Sequence, residues 1–138
     1  MRQFRKFPRP PPDHAASLVY RANLREVRDF VRSRAARAGL RSSRACDLVL
    51  AVSELAANTL RHTDSDGLLQ VWSWPGEIIC QIRDSGHLPE RRAGRPVLPP
   101  AEDGHGQGLR VVHQVCDFVE ICTGASGTTI RLHMQLDT

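Results

Sequence analysis

Glu54, Asn58 and His62 recur at four-residue intervals within "AVSELAANTLRHT", residues 51–63. On a helix, positions i, i+4 and i+8 stay within about 40° of one line. The three therefore form a stripe of a carboxylate, an amide and an imidazole, with Asp47 and Arg61 near its edges. The rest of the segment is apolar: Leu48, Val49, Ala51, Val52, Leu55, Ala56 and Leu60. A helix with so wide an apolar surface must lie against a sheet or another helix. Its polar stripe then faces either water or a cleft.

Three further features hold groups of the kind that binds ligands. Asp84 closes the strand-like run "IICQIRD" and is followed by Ser85-Gly86. A carboxylate there can point into a pocket and accept a hydrogen bond, or it can be a plain turn residue. "GHGQGL", residues 104–109, precedes a helical pattern. Its glycines let backbone N–H groups approach an anion at the positive end of that helix, or they make a hinge. Gly127-Thr128-Thr129 opens the last strand, where a small hydroxyl can meet a ligand or simply begin a β-run. The Walker A pattern is absent, no serine sits in a nucleophile elbow, and Cys46, Cys80, Cys116 and Cys122 have no zinc-like spacing. The cysteines are expected to be idle thiols.

The elements that must position these groups follow from pattern. "SLVYRA", 17–22, alternates as a short strand. Asn23 can cap a helix whose third position is Glu26; Leu24, Val27, Phe30, Val31, Ala35 and Ala38 form its apolar face, and Gly39 ends it. Six arginines lie between Arg21 and Arg37, mostly on the helix's other face, and form a solvated face or a docking surface. Ser42 or Ser43 is expected to cap the second helix, which runs to about residue 62. "LLQVWSW" and "EIICQIRD" read as strands joined at Pro75-Gly76. Prolines and glycines between 85 and 107 exclude a long helix or a central strand, so a functional lid loop is expected at about 87–107. A helix is expected from Gly108 to Cys116, then a strand "DFVEIC", a turn "TGASG", and the alternating strand "TTIRLHMQL". Strand, two helices, hairpin, loop, helix, hairpin: this order predicts an α+β fold, a two-layer α/β sandwich. Its sheet is mostly antiparallel and mixed, with helices on one face.

With 138 residues the chain fits one domain, expected over 15–138 behind a basic, proline-rich leader at 1–14. The net charge of +4 is concentrated in that leader, at Arg2, Arg5, Lys6 and Arg9. No aromatic platform or recognition motif accompanies the charge, so direct nucleic-acid binding is not expected. Neither a membrane span nor a secretory signal is legible, and a cytoplasmic location is the expectation.

Taken together and in order, these features resemble the GHKL (Bergerat-fold) ATP-binding superfamily, in particular its short anti-sigma-factor serine/threonine kinase branch. "ELAANTLRH" resembles the N box, "DSGHLP" the first glycine box, "GHGQGL" the second and "GTT" the last, over about residues 17–136. The resemblance implies ATP and Mg2+ as cofactors. It makes Glu54 the general base and Asn58 the Mg2+ ligand, and gives Asp84 the adenine amino group with Gly86 leaving room for the base. Gly104, Gly106, Gly108 and Leu109 would surround the phosphates, His62 and Arg61 would stand near them, and Thr128 or Thr129 would contact Asp84 or adenine. It implies a sigma factor and an anti-sigma-factor antagonist as partners, and a homodimer through the N-terminal strand and helix. The alternative is a non-catalytic ATP-binding module acting by protein contacts. Leu88 stands where the family pattern carries a second glycine, and leucine does not freely take positive φ, so the lid hinge is expected to differ.

Overall fold

The computed structural model describes residues 2–4, 10–62, 66–84, 105–124 and 127–136. Six strands form one sheet: β1 (Arg2–Phe4), β2 (Ala16–Tyr20), β3 (Gly67–Trp74), β4 (Glu77–Asp84), β5 (Phe118–Gly124) and β6 (Gly127–Gln135), in the order β1-β5-β6-β4-β3-β2. Every pairing is antiparallel except β1 with β5. The helices are α1 (Leu24–Ala38), α2 (Ser42–His62) and α3 (His105–Val115). The expected two-layer α+β sandwich with a mixed, mostly antiparallel sheet is what forms.

Local chemistry sets the helix ends. The Asn23 side chain accepts from the Glu26 N–H at 3.1 Å, which satisfies one otherwise orphaned donor of α1. At its other end Gly39 takes φ 90°, and the Gly39 and Leu40 N–H groups bond back to Ala36 and Ala35. Val27, Val31 and Ala35, one turn apart, are fully buried. From α2, Leu48, Ala51, Val52, Leu55 and Ala56 join them against Leu69, Val71, Ile78, Cys80, Ile82, Val119, Ile121, Leu132 and Met134 of the sheet. All these strand residues point to one face by strict alternation, so the helices form a single layer above it. In the β3–β4 turn, Gly76 at φ 95° follows Pro75.

Three expectations need correction here. Arg2–Phe4, inside the anticipated leader, pair with Val119–Ile121 as an edge strand. Ser42 is already the first residue of α2, so neither Ser42 nor Ser43 stands outside it as a cap. And α3 begins at His105 rather than Gly108, so Gly106 and Gly108 lie within its first turn.

The face away from the helices carries a polar row that crosses the sheet in register: Ser17, Gln70, Gln81, Arg131 and Glu120. Gln70 Nε2 donates to Ser17 Oγ at 3.3 Å, Gln81 Nε2 to Gln70 Oε1 at 3.2 Å, and Arg131 Nε to Gln81 Oε1. The Arg131 guanidinium also lies 5.3 Å from the Trp72 ring centroid. Burial pushes its pKa below the usual range, and Glu120 opposes that shift. Alternation alone would make Gln81 and Arg131 solvent residues, yet both are buried. Their mutual hydrogen bonds satisfy groups that burial would otherwise penalise.

None of the four cysteines is paired. Burial pushes the Cys80 thiol far up and the Cys116 thiol to about 12, so neither forms thiolate readily. Iodoacetamide at about pH 8 is expected to label exposed Cys46 in the folded protein and to spare Cys80 until denaturant is added. Mass mapping of the alkylated protein checks this, and early labelling of Cys80 would contradict its buried placement.

Candidate nucleotide site

Four residues from four neighbouring strands stand in one row at one end of the sheet, all on the helix-covered face. Tyr20 of β2 is opposite Gly67 of β3, Gly67 is opposite Asp84 of β4, and Asp84 is opposite Thr128 of β6. Register alone brings them together. Asp84 is only 5% exposed, so its carboxylate is buried, which marks this end of the row as a candidate recess. Thr128 Oγ1 beside it is buried and has no hydrogen-bond partner among the described residues. A native hydroxyl left so is a site in need of a donor or acceptor. Thr129 stands opposite Arg83 on the other face, which removes it from the candidate set.

Tyr20 builds the wall of this recess. Its side chain is 1% exposed, and its ring covers Gly67 so closely that a Cβ there would fall 2.2 Å from Cζ. Burial raises the Tyr20 phenol to about 12; nearby Thr59 works against that, and the Asp84 charge adds to it, while the hydroxyl itself finds no hydrogen-bond partner among the described residues. Both Thr59 of α2 and Asp84 of β4 are therefore within electrostatic reach of one hydroxyl. Thr59 itself donates to the Leu55 carbonyl at 3.2 Å. Tyr20, Gly67 and Thr59 are contributors that sequence reasoning missed. The one tyrosine of the chain, ending a strand, was the only available signal. Gly67→Ala is expected to lower stability by about 1–3 kcal/mol, because the ring must leave its place. Urea denaturation checks it; an unchanged midpoint would mean the recess tolerates more than the geometry allows.

The stripe of α2 approaches the same end. Glu54 and Asn58 are half-buried at the margin of the helix's core face. Asn58 Oδ1 accepts from the Arg61 guanidinium on the next turn, so its amide oxygen is already directed at a cation. Helix α3 packs on α2, and their ends meet through Arg44 and Asp117, whose Nη2 and Oδ2 are 2.8 Å apart. The C-terminus of α3 thus sits by the start of α2. Its first turn, with the backbone of Gly106, Gly108 and Leu109, is directed toward the end of α2 that carries Asn58 and His62. A helix start lacks intrahelical partners for its first N–H groups and carries partial positive charge. Glycines there leave those donors uncovered. Gly86, Leu88 and Gly104, with residues 87–104 of the expected lid, lie outside the described residues, as do the side chains of His62 and Leu109.

These residues fit a nucleotide. The buried carboxylate and the unpartnered Thr128 hydroxyl suit the edge of a base. A helix start suits phosphates. Mg2+ bound chiefly through phosphate oxygens and water needs one or two protein oxygens, and Asn58 Oδ1 offers one. No cluster of three His, Cys, Asp or Glu residues that could hold a metal ion occurs among the described residues. No described helix is long and apolar enough to cross a membrane.

A sheet covered by helices on one face, with this recess between β4 and α2, defines the architecture of a GHKL nucleotide-binding domain. Residues 20–134 match the histidine kinase-like ATPase domain family, and the chain belongs to it. Among solved structures, it is similar to the RsbU and RsbW domains of Rv1364c from Mycobacterium tuberculosis. The TM-score is 0.66 at 23% identity, over 91% of this chain and 33% of that one. At that identity the likeness speaks to fold, and this chain spans about a third of that structure's length. No curated protein matches.

Proposed function

We propose that this domain binds MgATP and transfers its γ-phosphoryl group to a serine or threonine of a partner protein. The observation that supports this most is the buried Asp84 in register with the unpartnered Thr128 hydroxyl. Asp84 accepts the adenine amino group, a donor that guanine lacks at that position. Thr128 completes the base contact and Tyr20 walls the recess. Asn58 supplies an amide oxygen to Mg2+, releasing Arg61 toward the phosphates. Bound Mg2+ neutralises charge on the β- and γ-phosphates. The backbone N–H groups at the start of α3, with Gly104, Gly106 and Gly108, hold the phosphate oxygens. Glu54, one turn before Asn58, takes the proton of the attacking hydroxyl as that oxygen bonds to phosphorus and ADP departs. Phosphoryl transfer needs mainly positioning and charge neutralisation, and this set supplies both.

The likeness to an RsbW domain supports reading this chain as a member of the anti-sigma-factor branch. The domain would hold a sigma factor and phosphorylate an anti-sigma-factor antagonist, in the cytoplasm and as a homodimer. Calorimetry with MgATP tests the foundation. Wild type is expected to bind, and Asn58→Ala to bind MgATP more weakly while its affinity for metal-free ATP changes little. A wild type that binds no MgATP would end the kinase reading. A wild type that binds but transfers no label to any antagonist would favour the non-catalytic module.

A further inference from the structure

At the opposite end of the sheet from Asp84, the last two turns of α1 and the β3–β4 hairpin enclose a cleft of about 170 Å3. Ile78, which lines it, and Asp84 lie six residues apart along β4, or about 20 Å. The cleft is therefore separate from the nucleotide recess. Its floor is apolar, from Val71 and Ile78, and its rim carries His14, Arg34 and Arg37. No acidic residue lines it among the described residues. Arg34 and Arg37 are three apart, so one helix face presents both guanidinium groups.

Arg34 is held in place. Its guanidinium carbon lies 5.2 Å from the Phe30 ring centroid. Its Nε is buried and finds no hydrogen-bond partner among the described residues. A donor withdrawn from water without an acceptor costs free energy that an incoming acceptor would restore. Two arginine forks with an adjacent imidazole suit a planar anion, because a guanidinium can bind a carboxylate through two parallel hydrogen bonds. A strongly hydrated inorganic anion would leave the apolar floor unused. The volume is below the roughly 300–1,000 Å3 of ordinary ligand pockets. It suits a small acid or the end of a peptide, not a cofactor.

We propose that this cleft is a second ligand site, taking a carboxylate carried on a small apolar body. The carboxylate bridges Arg34 and Arg37, and the apolar body rests on Val71 and Ile78.

Amide chemical-shift titration of the full chain, without nucleotide, tests this. The probes are benzoate, its neutral counterpart benzamide, a short acetylated peptide ending in a phenylalanine carboxylate, and that peptide's C-terminal amide. At least one acid is expected to shift residues 34–38 and 71–78 saturably and to leave Asp84 and Thr128 unmoved. The neutral counterparts are expected to give no saturation. Arg34→Gln/Arg37→Gln is expected to weaken binding by about tenfold or more. Exposed Arg37→Gln alone serves if the double variant does not fold. Tighter binding of the peptide acid than of benzoate identifies a chain end as the natural source; the reverse identifies a free metabolite-sized acid. Saturation by neither acid, equal binding of the neutral forms, or full affinity in the folded arginine variants would overturn the proposal.

Discussion

Replacing Asp84 by alanine is expected to weaken ATP binding by about 10- to 100-fold while leaving the protein folded. The magnitude follows from the roughly 1.5–3 kcal/mol attached to a hydrogen bond with a charged group, at about 1.4 kcal/mol per tenfold change. Asp84 is the last residue of β4, buried to 5% exposure, with Gly67 on one side and Thr128 on the other. No neighbour in that row offers a charged acceptor in its place: Gly67 has no side chain, Thr128 carries only a neutral hydroxyl, and the Tyr20 phenol is held neutral, with its pKa raised to about 12. The variant should also lose preference for adenine. GTP affinity, expected to be poor from the start, should change far less than ATP affinity, so the ATP/GTP ratio is the diagnostic quantity. Calorimetric titration of both nucleotides measures it. An ATP affinity unaltered in the folded variant would show that the base binds elsewhere.

The second large effect is expected at Glu54. Glu54→Ala should lower phosphoryl transfer to the acceptor protein by about 10²–10⁴-fold, the usual contribution of a positioned general base. ATP affinity should remain close to that of wild type, since Glu54 lies one turn before Asn58 and is assigned the acceptor hydroxyl, not the nucleotide. That split between turnover and binding distinguishes a base from a structural carboxylate. Single-turnover transfer of labelled phosphate, paired with nucleotide titration, resolves the two. Transfer at the wild-type rate in the variant would remove Glu54 from the chemistry.

Much of this architecture was legible because its signals are local. The α1 cap at Asn23, its stop at Gly39 and the turn at Pro75-Gly76 depend on residues within a few positions of one another. The α2 stripe was equally plain, since helical period alone aligns Glu54, Asn58 and His62. What escaped was non-local. β1 is three residues beside a proline-rich run, and only its parallel pairing with β5, more than a hundred positions away, makes it a strand. The glycines of "GHGQGL" suggested a loop because glycine disfavours helix; α3 nonetheless starts at His105, and Val112 is buried in the core. Tyr20 and Gly67 come from separate segments, and only sheet register reveals them as neighbours of Asp84 and Thr128. Register also separates Thr128, opposite Asp84, from Thr129, opposite Arg83, a distinction that composition left open.

The polar row of Ser17, Gln70, Gln81, Arg131 and Glu120 has a consequence for fidelity of assembly. A one-residue slip of any strand sends its side chains to the opposite face. Apolar faces tolerate some misalignment, since one aliphatic contact resembles another. Hydrogen-bonded amides do not: a slip of β4 would tear Gln81 from both Gln70 and Arg131 and bury it unsatisfied in the core. The same slip would expel Asp84 from its recess. The row thus acts as an alignment gauge, on the face that takes no part in chemistry, for a carboxylate about three positions further along the strand.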